Sequence, residues 1–151
     1  MPASFAKLFD WPPVWLLGFL ALAWALGRLW PMPEVPALAL AGRALVGLGV
    51  LLMVVAAAQM FGMRTTVIPR QDPSALVTGG VFRISRNPIY LADAMVLAGL
   101  VLHWAAWPAL VLVPAFAAVI TRRFILGEEA RLRAAFGAEF EAFAARTRRW
   151  L

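Results

Sequence analysis

Long apolar runs alternate with short polar joints along this chain, and the lengths of the runs dictate how it folds. The first run, Val14–Trp30, is broken only by Arg28 near its end. The second, Ala44–Met63, carries Gln59 as its one polar side chain. The third, Ile89–Ile120, is interrupted at Asp93 and His103. As a single helix this last run would measure about 48 Å, against a hydrocarbon core of roughly 30 Å. It must therefore fold back on itself. The break falls at Trp104–Pro108, because proline suits the first turn of a new helix and tryptophan suits a membrane interface. The pattern predicts an all-α, polytopic membrane protein of one domain. It has four spans, near 13–30, 38–63, 88–104 and 107–123, the last two forming a tight hairpin.

Composition strengthens this reading. Of 151 residues, 63% are hydrophobic and 15% charged, where a soluble domain carries about 45–50% and about 25%. Runs this long cannot all be buried in so small a core. The basic residues assign an orientation. Arg64, Arg70, Arg83 and Arg86 lie between the second and third spans, and seven more follow Ile120. In a four-span topology all of these share one side, which places both termini in the cytoplasm. The net charge of +6 is then a matter of topology and anionic-lipid contact rather than nucleic-acid binding. The Ala/Arg/Leu-rich, Lys-poor composition points to a bacterial inner membrane. Asp10, Pro12, Pro13 and Trp24 mark the first apolar run as an uncleaved span rather than a signal peptide. The absence of cysteine removes disulfides and thiolate catalysis, and a single histidine leaves no basis for a metal site.

Residues 64–151 hold nearly all the chemistry. The connector that begins at Arg64 is rich in turn formers, and Gly79-Gly80 marks a bend where backbone can approach a ligand closely. Asn87 and Pro88 form a helix start, with Asn as N-cap and Pro at the first helical position. Tyr90 then falls in the first turn of the third span and Asp93 about one turn deeper, where an ionisable group faces a polar cavity or a partner. His103 lies at the far end of the hairpin beside Trp104 and Trp107, as an interfacial residue. The adjacent acids Glu128 and Glu129 follow the fourth span. Helix neighbours point about 100° apart, so one acid can face a site while the other pairs with arginine or water. In the tail, 124–151, Leu132, Phe136, Phe140 and Phe143 form an apolar stripe flanked by charges, which predicts an interfacial amphipathic helix lying along the membrane.

Together these pieces resemble one family. Arg86-Asn-Pro-Ile-Tyr90, a short hairpin, and Glu128-Glu129-Ala-Arg-Leu132 continuing to Phe136-Gly-Ala-Glu-Phe140 are similar to the isoprenylcysteine carboxyl methyltransferase and phospholipid methyltransferase family of integral membrane enzymes. The resemblance covers about residues 64–150. Asn87 stands where the isoprenylcysteine branch has His, and Asp93 lies close to where a small Gly is usual. Gly47-Leu-Gly49 is a candidate counterpart of the family's Gly-x-Gly element.

The resemblance implies S-adenosylmethionine as cofactor and a lipophilic methyl acceptor: an isoprenylcysteine-like carboxylate or thiol, or a phospholipid amine. It makes Arg86, Asn87, Tyr90, Gly80, Glu128 and Glu129 the expected cofactor-binding residues, with Glu128, Glu129 and Asp93 as the expected catalytic ones. The chemistry fits, since a carboxylate complements the sulfonium and ammonium of the cofactor, while an arginine can take its carboxylate. No metal is required. A non-catalytic membrane scaffold of the same fold and a nicotinamide-dependent membrane reductase are the alternative readings.

Overall fold

The computed structural model describes residues 11–65 and 73–151. Asp10, Arg70 and the connector residues 66–69 lie outside them. Among the described residues the protein is helical throughout. Helix α1 spans Pro12–Leu29, α2 Pro36–Gly62 and α3 Pro88–His103. A short 3-10 turn, Trp107–Val111, leads into α4, Leu112–Ile120. A π-turn, Thr121–Ile125, joins α4 to α5, Leu126–Arg146. Each apolar helix opens on a proline at its first or second position, and no side chain caps it. Proline suits that position because the amide it lacks would have no partner in the helix.

The first three predicted segments coincide with these helices to within a residue or two, and the fourth starts at the expected place but runs on to Arg146. Helices α1 and α2 are long and apolar enough to cross a membrane. Helix α3, at 16 residues, is about 24 Å long. The helical segment Trp107–Arg146 counts 40 residues, roughly 60 Å, so its second half lies beyond the bilayer. The outer faces of α1 and α2 display Leu17, Leu22, Trp24, Leu40, Leu51 and Val54, the distribution expected of a chain solvated by lipid. The protein is an integral membrane protein.

Two packing arrangements hold the bundle together and position the site. Helices α2 and α3 form the most extensive pair in the molecule, and they approach through small residues. A Cβ built on Gly99 would lie 2.6 Å from the Gly42 carbonyl oxygen and 2.9 Å from the Val46 amide nitrogen. Gly49 packs likewise on the Ala92 carbonyl, which makes it a helix-packing residue. In a bilayer, where apolar contact alone does not bring helices together, such close backbone approach replaces the hydrophobic drive. On the other side of α3, Leu97, Val101, Phe116 and Ile120 form a core with α1, where Phe19 meets Phe116 edge-on at 5.4 Å.

The tail leaves the fourth span as a continuation of the same helix through the π-turn and bends at Gly137, whose φ of 47° breaks the helical path. Its apolar stripe is turned inward as well. Phe140 and Phe143 are buried with Ala56, Leu76 and Phe82, and Leu132 and Phe136 pack against the same cluster. The stripe therefore meets the end of α2 and the connector. Periodicity identifies an apolar face but not what covers it.

Candidate functional site

Four elements converge at the end of the bundle where α1 begins, α2 ends, α3 begins and the tail leaves the fourth span. They enclose a cavity of about 380 Å³. Its apolar wall comes from Pro12 and Pro13 of α1, Met53 and Met60 of α2, and Leu76, Phe82 and Phe143. Its polar lining is Thr65, Arg86, Asn87, Tyr90, Asp93, Glu128 and Arg131. The cavity lining is thus part apolar and part charged.

The structure brings Tyr90 and the acidic pair together. The Tyr90 hydroxyl donates to Glu128 Oε1 at 2.7 Å, from the first turn of α3 to the first turn of α5. Asp93 is 4% exposed and lines the same cavity. One turn separates it from Tyr90, so both side chains reach one face of α3.

Glu129 points elsewhere. Arg86 Nη2 donates to its Oε1 at 2.8 Å, Arg149 Nε to the same oxygen at 2.9 Å and Arg149 Nη2 to Oε2 at 2.7 Å. Burial opposes the charge on Glu129, but the hydrogen bonds and positive charges of the two arginines outweigh it and hold the carboxyl below the usual glutamate range. Arg86 Nη1 also donates to the carbonyls of Ala144 and Thr147, at 2.9 and 2.7 Å. Its Nε, by contrast, is buried with no partner.

Two expected residues sit differently from the sequence reading. Asn87 occupies the N-cap position of α3 without making the cap bond. Its Nδ2 instead donates to the Arg149 carbonyl at 2.9 Å, although the residue still lines the cavity. Gly80 opens a 3-10 turn, Gly80–Arg83, with φ of 56° and packs on the Gln59 side chain, which a Cβ there would overlap. Gln59 Oε1 accepts from the Val81 amide at 3.2 Å, so Gly80 shapes the connector from outside the cavity lining.

Sequence reasoning missed Arg149, Ser85, Arg131 and the role of Gln59. The one polar residue in an otherwise apolar span was a usable signal for Gln59. Nothing distinguishes Arg149 from its neighbour Arg148 in a run of like residues.

Comparison with known protein families matches residues 38–139 to the phospholipid methyltransferase family. That stretch contains α2, the connector, the hairpin and the acidic pair. The chain belongs to the phospholipid methyltransferase family. No curated protein and no solved structure gives a significant match. Membership makes this chain one of a family of methyltransferases, and it covers the elements that build the cavity, apart from the start of α1 and Phe143. Among the described residues no group of three or more histidines, cysteines or acids could hold a metal ion.

The lining residues of this phospholipid methyltransferase family member fit S-adenosylmethionine. The orphaned Arg86 Nε offers a donor for a carboxylate, Glu128 offers negative charge for an ammonium or sulfonium, and Tyr90 offers an aromatic face beside them.

Proposed function

We propose that the protein methylates a lipophilic acceptor with S-adenosylmethionine at the cytoplasmic face of the membrane. The observation that carries this reading is the hydrogen bond between Tyr90 and Glu128 at a cavity whose lining divides into apolar and charged residues. A charged cofactor and a greasy acceptor need such a division, the first reaching the site from water and the second from the bilayer. The basic connector and tail support an orientation with the cavity on the cytoplasmic side.

When bound, the cofactor supplies an already activated methyl group, and what remains for the protein is to hold two reactants in line in a shielded place. Glu128 holds the cationic end of the cofactor and is itself held by the Tyr90 hydroxyl. Arg86 meets the cofactor's carboxylate. Asp93, deeper and next to the apolar wall, takes a proton from the acceptor when that acceptor is an amine. Met53, Met60 and Pro13 exclude water from the methyl path.

The test is titration calorimetry of the purified protein with S-adenosylmethionine, together with transfer of a radiolabelled methyl group into total lipid extract. Wild type should bind and transfer label. Glu128→Gln should weaken binding roughly tenfold or more, the scale of one charge-assisted hydrogen bond, and Tyr90→Phe should weaken it less. A wild-type protein that neither binds the cofactor nor labels any lipid refutes the reading.

A further inference from the structure

We propose that Glu129 is a positioning residue: through Arg86 and Arg149 it pins segment 144–150 to the start of α3, and so sets the aim of Glu128 and Tyr90 at the cavity. The catalytic half of this inference rests on the cofactor reading above, whereas the structural half does not.

The contacts form one connected set. Three consecutive residues ahead of α3 grip the tail backbone. The Arg86 amide donates to the Arg148 carbonyl at 2.9 Å, and the Ser85 hydroxyl and Asn87 Nδ2 donate to the Arg149 carbonyl at 3.1 and 2.9 Å. With the two bonds from Arg86 Nη1, four tail carbonyls find donors in residues 85–87. A helix leaves its last carbonyls without internal partners, and here a distant segment supplies partners for two of them, Ala144 and the C-cap Thr147. Trp150 Nε1 fastens the end by donating to Thr121 Oγ1 at 3.1 Å.

Glu129 ties this set together. It is 6% exposed, lies outside the cavity lining, and engages both carboxylate oxygens with arginine. It follows Glu128 directly on α5, so any rotation of the helix that loosens one acid swings the other. Arg86 closes the circuit, because the guanidinium that Glu129 orients is also the one that lines the cavity. Removing the charge leaves two buried or half-buried guanidinium groups short of an acceptor, which costs more than losing one contact.

The experiment compares Glu129→Gln, Glu129→Asp and wild type in detergent with two readouts. The first, which needs no cofactor, is trypsin cleavage after Arg148 and Arg149, since cleavage requires the pinned segment to open. The second is the split between cofactor affinity and turnover. For Glu129→Gln the expected result is cleavage about tenfold faster and turnover reduced about tenfold to a hundredfold, with cofactor Kd weakened less than in Glu128→Gln. Glu129→Asp should restore part of the protection and part of the turnover. Wild-type cleavage rates in Glu129→Gln overturn the pinning role. Loss of cofactor binding as deep as in Glu128→Gln, with the tail still protected, makes Glu129 a direct ligand and also overturns the proposal. Should wild type bind no cofactor, the functional reading fails while the cleavage arm still decides whether Glu129 pins the tail.

Discussion

Glu128 and Glu129 are chemically identical neighbours, yet their surroundings give them different work. Glu128 meets the Tyr90 hydroxyl at the cavity, whereas Glu129 meets two guanidinium groups away from it. The arginines hold the Glu129 carboxyl below its unfolded value near 4.3, and this fixes the sign of the pH dependence. A group with a depressed folded pKa contributes stability that is complete above its unfolded pKa and is lost as pH falls through the folded one. Thermal stability should therefore be flat through neutral pH and decline in acid below about pH 4. Glu129→Gln should be less stable at neutral pH and show a shallower acid decline, which thermal melts across a pH series would measure. That the two acids face different surroundings was legible in the sequence, from the 100° between helix neighbours. Which acid faces the cavity was not, because it depends on the phase in which α5 leaves the fourth span.

That phase is set at the scale of elements, by the π-turn Thr121–Ile125. Single π-turns insert an extra residue into an α-helix and frequently mark functional sites. Nothing in Thr-Arg-Arg-Phe-Ile distinguishes them from an ordinary helical turn, so pattern reading ended the span near 123. The starts of the helices were legible to within a residue or two, because proline starts are local properties. The inward turn of the Leu132–Phe143 stripe was not, since its cover, Ala56 with Leu76 and Phe82, comes from elsewhere in the chain. Helix pairing yields a sharper prediction. Gly99→Ala drives a methyl group into the Gly42 carbonyl and the Val46 amide and should destabilise the protein by about 1–3 kcal/mol. Gly47→Ala, with nothing within 4 Å of the new Cβ, should be neutral or stabilising by up to about 1 kcal/mol. Melting temperatures in detergent would separate the two, and equal losses would show that the glycine contact does not hold α2 to α3.

For the whole molecule, the site lies at one end of the bundle, where the basic residues also gather. The chain contains no cysteine, so single cysteines report orientation cleanly. With the cavity in the cytoplasm, an impermeant maleimide applied to intact cells should label Glu34→Cys in the loop between α1 and α2. It should reach Ala138→Cys on the exposed side of α5 only after permeabilisation. The reverse pattern would place the cavity outside. The hydrophobic drive settles only that the helices enter the membrane, and charge settles their direction. The fit of one end of the chain to the middle lies beyond both.

That fit has a consequence for how the protein is made. Residues 85–87 are synthesised about sixty positions before the carbonyls they grip, and in the interval the first three spans can already be in the bilayer. Until residues 126–150 emerge, Arg86 has neither Glu129 nor the tail carbonyls to hold. The cavity wall contributed by α5 is also still missing. The nascent protein therefore passes through a state that is inserted but unfinished. The joint between residues 85–87 and the tail is the step at which a membrane-bound bundle acquires the last wall of its cavity.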